Sequence, residues 1–304
     1  MSPFSFVIIT YNRPGDMLAL AKNIAELDGA SDMLEEVIIL NNASTEDYGE
    51  LKNFIRHHPE IPFRYLDAPS NLGVARGRNY AIKFATAPIL IMLDDDSELE
   101  GRDSLYKLQA FFQSANTSRP LAIVSFKVLY YENREMQVNA LPHKRFDQYK
   151  DKSFFETYYF AGGAHAITKE AIEKLGLYPE DFFYGMEEYD LGYRLLDAGY
   201  SIAYTDSVVM LHKESPHGRK PKKEKLQMMW VNKCKVAWRY LPERYFWSTA
   251  FLWSFQYLAQ TRFFIPGFWV GWSKVVRIPE GEKRTPVKAA TMAYLKQLDA
   301  RLFY

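Results

Sequence analysis

Leu90-Ile91-Met92-Leu93-Asp94-Asp95-Asp96-Ser97 carries an apolar run straight into three consecutive carboxylates. Adjacent like charges repel, so a chain that keeps three of them after a buried strand needs a physical reason to do so. One reason is a cation for them to hold, and a hard divalent metal with oxygen ligands is the natural case. The other is a solvated acidic turn leading into the next helix, because Asp and Ser are good N-cap residues. The stretch alone does not separate the two, and its surroundings carry the reading further.

Upstream, apolar β-branched runs alternate with helical patterns, the mark of βαβ units and a parallel sheet. Strands are predicted at Ser5 to Thr10, Glu36 to Leu40, Phe63 to Leu66 and Ile89 to Leu93, with helices over Pro14 to Leu27, Tyr48 to His57 and Gly73 to Phe84. Pro14 stands where a first helical turn tolerates proline. Every strand runs into a polar cluster: Thr10-Tyr11-Asn12-Arg13, Asn41-Asn42-Ala43-Ser44, Asn71-Leu72-Gly73 and the three aspartates. In an open parallel sheet the carboxyl ends share one edge, where ligands bind, so the four clusters are expected around one cleft.

Downstream, a helix is expected over Asp103 to Ser114 and a strand over Ile123 to Leu129, followed by an irregular polar stretch. Tyr158-Tyr159-Phe160-Ala161-Gly162-Gly163-Ala164 reads as an aromatic strand ending in paired glycines, which mark either close approach of a ligand to the backbone or a β-bulge. Glu187-Glu188-Tyr189-Asp190 opens an amphipathic helix that stops at Gly199. Acidic residues also suit a first helical turn, so this cluster has a purely structural reading as well. Ser201 to Leu211 is expected to be extended and to end at His212.

The chain has 304 residues, is 48% hydrophobic and 25% charged, and has a formal net charge of +1, which excludes a binder driven by global charge, nucleic-acid binders included. A single cysteine, Cys234, excludes an internal disulfide and a cysteine-built zinc site and fits a reducing compartment. The start of the chain runs into Phe6-Val7-Ile8-Ile9 with no basic n-region and no small-residue cleavage site, so a signal peptide is not expected there. A catalytic unit is expected over 1–215 and an extension over 216–304. A mobile basic linker is expected from Lys213 to Lys225, and the extension is dense in Tyr, Phe and Trp. The uncharged run from Tyr245 to Thr261 is short for a membrane span, so an interfacial helix or hairpin at a membrane surface is expected, against a helical subdomain that packs on the catalytic unit or a dimer interface.

In this order the motifs resemble a family 2 glycosyltransferase of the GT-A fold over roughly residues 4 to 215. The carrying residues are Val7 to Arg13, Asn41 to Ser44, Asn71 to Gly73 with Arg78-Asn79, Leu93 to Asp96, Gly162-Gly163 and Glu187 to Leu191. Rhamnosyltransferase-like and galactofuranosyltransferase-like bacterial members are the nearest in pattern. The resemblance implies an α/β fold with a mostly parallel central sheet and a nucleotide-sugar donor, dTDP-rhamnose or a UDP-hexose first. It implies donor contacts from Thr10, Tyr11, Asn12, Arg13, Asn42, Asn71, Arg78, Asp94 and Asp95. Asn42 stands where relatives usually carry Asp, and it both donates and accepts where Asp only accepts. Arg76 and Arg78, near a helix start, are implied at the diphosphate.

Asp94 and Asp96 match the outer pair of the family's DXD motif, which holds Mn²⁺ or Mg²⁺ on the diphosphate. A late histidine often completes that site, and His212 matches it, with His217 as a competitor. The base in relatives is commonly the Asp of Glu-Asp. Here the matching residue is Glu188, with Glu187 and Asp190 as alternatives, and Gly162 and Gly163 are implied at the acceptor. The whole implies inverting transfer to a saccharide or lipid-linked acceptor in bacterial surface polysaccharide synthesis, with the protein peripheral on the cytoplasmic face of the membrane. A nucleotidyltransferase lacks support because no glycine-rich phosphate loop follows the first strand. A non-catalytic sugar-nucleotide or membrane scaffold is disfavoured by the intact acidic residues.

Overall fold

The computed structural model describes residues 3–217 and 221–303. A nine-stranded sheet forms its centre: β1 (Phe4–Thr10), β2 (Leu34–Asn41), β3 (Phe63–Asp67), β4 (Ile89–Asp94), β5 (Ser97–Leu99), β6 (Leu121–Tyr130), β7 (Phe154–Thr157), β8 (Ala164–Thr168) and β9 (Ser201–His212). The strand order is β3-β2-β1-β4-β8-β6-β9-β5, with β7 also paired to β9. The helices in chain order are α1 (Pro14–Ala25), α2 (Ala30–Met33), α3 (Gly49–His57), α4 (Gly73–Ile82), α5 (Ser104–Ser114), α6 (Phe146–Tyr149), α7 (Lys169–Leu175), α8 (Glu187–Asp197), α9 (Lys222–Tyr240), α10 (Glu243–Gln260), α11 (Ile265–Val275), α12 (Ile278–Gly281) and α13 (Ala289–Gln297).

The first four strands form the predicted parallel half. Ile8 and Ile39 lie side by side, as do Thr10 and Asn41, Asn41 and Asp67, and Ile9 and Asp94. This register brings all four polar strand ends to one edge. Beyond β4 the sheet becomes mixed: β8 is antiparallel to both β4 and β6, β6 is parallel to β9, and β5 and β7 are antiparallel to the two ends of β9. The expected aromatic strand over Tyr158 to Ala164 does not form as such. β7 stops at Thr157 and β8 starts at Ala164, and the segment between is a turn. Its aromatic rings instead pack on helix α8, Tyr159 stacking on Tyr189 at 4.6 Å.

One apolar core runs from the sheet into the C-terminal helices, and it contains Val7, Ile38, Met92, Tyr193, Trp230, Phe246, Leu295 and Leu302. Trp230 of α9 sits at the centre of the helical part, its indole N–H donating to the Ala250 carbonyl of α10 at 3.2 Å. A side chain at Gly271 of α11 would overlap that indole. Lys222, Lys223 and Lys225, expected in a mobile linker, are helical and open α9. The Gly218, Arg219 and Lys220 part of that expectation lies outside the described residues. Among the described residues no helix is long and apolar enough to cross a membrane.

Candidate active site

The three carboxylates divide between two environments. After β4 the chain turns through Asp95 and Asp96 into β5, and β5 pairs antiparallel with β9 so that Ser97 lies opposite His212. Asp94, Asp96 and His212 thereby offer ligand atoms within 4.8 Å of one another. His212 Nε2 is 3.3 Å from Asp96 Oδ1, and the backbone N–H of Ser215 donates to Asp96 Oδ2 at 2.9 Å. Two carboxylates and one imidazole form a donor set that fits Mn²⁺ or Mg²⁺. Asp95 faces Arg13, whose Nη1 donates to it at 2.7 Å, and burial pushes the Asp95 carboxyl up to about 7 against that guanidinium. Arg13 Nη1 is also 3.2 Å from Asp96, and its Nε and Nη2 donate to the carbonyls of His217 and Ser215.

A second acidic cluster faces the first. Gly185 and Met186 both take left-handed backbone, φ 79° and 74°, which turns the chain sharply into α8 and puts Glu187 and Glu188 in its first turn. Burial raises both carboxyls; Glu188 reaches about 8, where the neighbouring Glu187 adds to burial and Arg78 opposes it. The paired glycines lie between the clusters. A Cβ at Gly163 would overlap the Asp94 carboxylate, and one at Gly162 would overlap the Glu188 carboxylate. Glycine at both positions lets the two acidic side chains come close to the backbone as they are placed here. Arg78 joins the two sides, Nη2 lying 3.4 Å from Asp94 and Nη1 3.4 Å from Glu187, over the Tyr178 ring.

The other residues expected at a donor are placed as follows. The Thr10 hydroxyl pairs with Tyr48 at 2.7 Å, and the Tyr11 N–H points to Asp95 at 3.4 Å. Asn12 Oδ1 accepts from the Thr45 N–H at 2.8 Å and so ties the first loop to the second. Asn42 is buried; its amide reaches Asn71 and Gly73 and accepts from the Leu72 N–H. Asn71 Oδ1 also accepts from the Gly73 N–H at 3.0 Å. Arg76 is exposed, whereas Arg78 is buried. The polar strand ends thus converge as expected, and much of their hydrogen bonding is spent on one another.

A sequence profile for glycosyl transferase family 2 matches residues 5–176, more than half of the chain. The chain belongs to that family. An uncharacterized protein of Haemophilus influenzae is 30% identical over 177 residues, which cover 58% of this chain and 92% of that protein. The uncharacterized glycosyltransferase YfnE of Bacillus subtilis is 23% identical over 60% of this chain and 57% of its own length. Among solved structures, the mannosyltransferase PcManGT from Pyrobaculum calidifontis, in complex with GDP-Man and Mn²⁺, superposes with a TM-score of 0.61. That superposition covers 99% of this chain and 81% of the other, at 18% identity. S. aureus TarS 1-349 in complex with UDP-GlcNAc gives 0.63, covering 96% and 83% at 14% identity. At such identities the superpositions establish the fold, GT-A, with the helical extension beyond it.

Two features of this glycosyltransferase were not visible from motifs. Asp190, an alternative base by its place in the acidic cluster, is held by partners outside that cluster. It is buried and bound by Arg194 at 2.9 Å, Arg239 at 3.0 Å and the Tyr240 hydroxyl at 2.9 Å, so it anchors α9 to α8. Lys233 of α9 does reach the acidic side. Its ammonium lies 3.2 Å from the Tyr189 ring centre and feels the Glu188 charge, while burial brings it down to about 7. A lysine in the middle of a helix carries no motif, and only the packing of α9 on α8 reveals it.

Proposed function

We propose that this glycosyltransferase moves a sugar from a nucleoside diphosphate to an acceptor hydroxyl with inversion at the transferred carbon. The observation that carries this reading is the pair of acidic clusters facing each other across Gly162-Gly163, one with a histidine and the other with a half-buried glutamate whose carboxyl is raised. Asp94, Asp96 and His212 would hold Mn²⁺ or Mg²⁺, which when bound neutralises charge on the departing diphosphate. Glu188 takes the acceptor's hydroxyl proton as its oxygen bonds to the sugar carbon, while the bond from that carbon to the diphosphate breaks and its electron pair leaves with the diphosphate. A carboxyl raised toward neutral pH is a stronger base than an ordinary glutamate once ionised. Arg78 keeps the two acidic sides compatible by lying between them.

The loops at Thr10 to Arg13 and Asn41 to Ser44 would hold the nucleoside, dTDP-rhamnose and UDP-hexoses being the first donors to try. PcManGT and TarS were crystallised with GDP-Man and UDP-GlcNAc respectively, which supports the donor class. The acceptor side, at Gly162 and Gly163, would take a saccharide, free or lipid-linked. Most exposed large apolar side chains among the described residues fall within 247–276, which supports a seat on the cytoplasmic membrane face, where lipid-linked acceptors are elongated. The reading is tested by screening nucleotide sugars for thermal stabilisation in Mn²⁺ and assaying release of the diphosphate. Asp96→Ala is expected to abolish the Mn²⁺-dependent turnover, and undiminished turnover in that variant refutes the metal assignment.

A further inference from the structure

His212 closes the candidate metal site, and an imidazole ligates a metal only through a nitrogen that carries no proton. A neutral ring has one N–H, so the partner of the other nitrogen decides which nitrogen is available. Nε2 of His212 faces Asp96 at 3.3 Å. Nδ1 faces the side-chain oxygen of Gln137 at 3.1 Å. An amide oxygen accepts and never donates, so in the neutral ring this contact keeps the proton on Nδ1 and leaves the Nε2 lone pair toward Asp94 and Asp96.

Gln137 is built to hold that orientation. It lies in the irregular stretch after β6, is buried at 6% exposure, and its backbone N–H donates to the Val128 carbonyl of β6 at 3.0 Å. The neighbouring Met136 bridges to Leu129. The amide nitrogen of Gln137 is buried with no hydrogen-bond partner among the described residues. Leaving a buried N–H unsatisfied is unfavourable, so folding alone gives no reason for an amide here. An apolar side chain of similar length would fill the position without that penalty. Among the described residues, the oxygen at the His212 ring is the one polar contact the side chain makes.

We propose that Gln137 is a positioning residue that makes His212 an Nε2 ligand, acting through the ring rather than on the metal or substrate. The inference rests on the metal reading given above. Partners of this kind, one step removed from the metal, typically change metal affinity 10- to 100-fold.

The test is calorimetric titration of Mn²⁺ into the full chain and into Gln137→Leu, Gln137→Glu and His212→Ala, with the melting temperature of each metal-free protein measured alongside. Gln137→Leu is expected to weaken Mn²⁺ binding about 10-fold or more without lowering the metal-free melting temperature, since it removes an unsatisfied amide. Gln137→Glu is expected to bind at least as tightly as the parent, because a carboxylate also accepts from Nδ1–H. Parental affinity in Gln137→Leu with weakened binding in His212→Ala overturns the role of Gln137 and leaves the metal site standing. Parental affinity in His212→Ala overturns the metal site and this inference together. A melting temperature that falls in Gln137→Leu with unchanged affinity shows a structural role and also refutes the inference.

Discussion

Glu188 is the residue on which the proposed chemistry turns, and its environment gives it a pH signature. Burial raises its carboxyl first, Glu187 adds to the rise, and Arg78 opposes it, with the result near 8. Below that value Glu188 is neutral and cannot accept a proton, so kcat/KM is expected to climb about tenfold per pH unit and level off above about 8. Glu188→Gln should keep donor binding, lose transfer by roughly 100-fold or more, and lose the acidic limb of the profile. A Glu188→Gln enzyme with parental turnover would place the base elsewhere. The two adjacent glutamates that open α8 were legible in the sequence as an acidic cluster at a helix start. The partners were not. Arg13, expected at the donor, supplies a cation from the chain itself to Asp95 and Asp96. Arg78 bridges the two acidic sides, and these pairings need the register of distant strands to become visible.

At the scale of elements, the parallel half of the sheet was legible because each buried strand reads as an apolar run followed by a polar end. The mixed half was not. β5 has three residues and β7 four, too short for any periodicity, yet β5 is what sets His212 beside the aspartates. The Glu187-to-Asp190 cluster shows the same limit from the other side. On a helix, residues three apart sit near one face, but the packing of α9 draws Asp190 away to Arg239 and Tyr240. This gives a prediction that separates anchor from base. Asp190→Ala removes a buried carboxylate that partners two half-buried arginines and should cost about 3 kcal/mol, lowering the melting temperature by roughly 6 °C while Mn²⁺ binding persists. Glu188→Gln, which near neutral pH replaces an uncharged, half-buried carboxyl by an amide of the same shape, should leave the melting temperature nearly unchanged. The opposite pattern in a thermal scan of the two variants would exchange their roles.

At the scale of the whole molecule, the helical extension has two faces with different fates. One closes the core: Trp230, Tyr193 and Tyr240 pack together with the sheet, and Lys233 reaches the acidic side. Truncation at residue 240 would expose this core, so it cannot isolate the role of the other face. That other face carries Trp247, Phe251 and Phe255 along one row of α10 and Ile265 and Trp269 on α11, with Phe263 between them. Phe251 and Trp272 touch at 5.3 Å and join the rows into one apolar surface. Phe255 is 63% exposed, Phe263 71% and Trp269 66%, an arrangement that is costly in water and favourable at a lipid boundary. Exposed Arg262, Lys274 and Arg277 stand in the same stretch and suit anionic headgroups. The chain is therefore expected to sediment with vesicles containing phosphatidylglycerol, less so in high salt. Each large apolar side chain that enters the interface contributes about 1.5–3 kcal/mol, so Phe255→Ser with Trp269→Ser should weaken the partitioning about 100-fold. Because both side chains point away from the core, the double variant should keep its melting temperature and its turnover on a soluble acceptor. Binding to vesicles that is equally strong in the double variant would assign the attraction to the basic residues alone. A parent chain that stays in the supernatant would leave this face for a protein partner or a second copy.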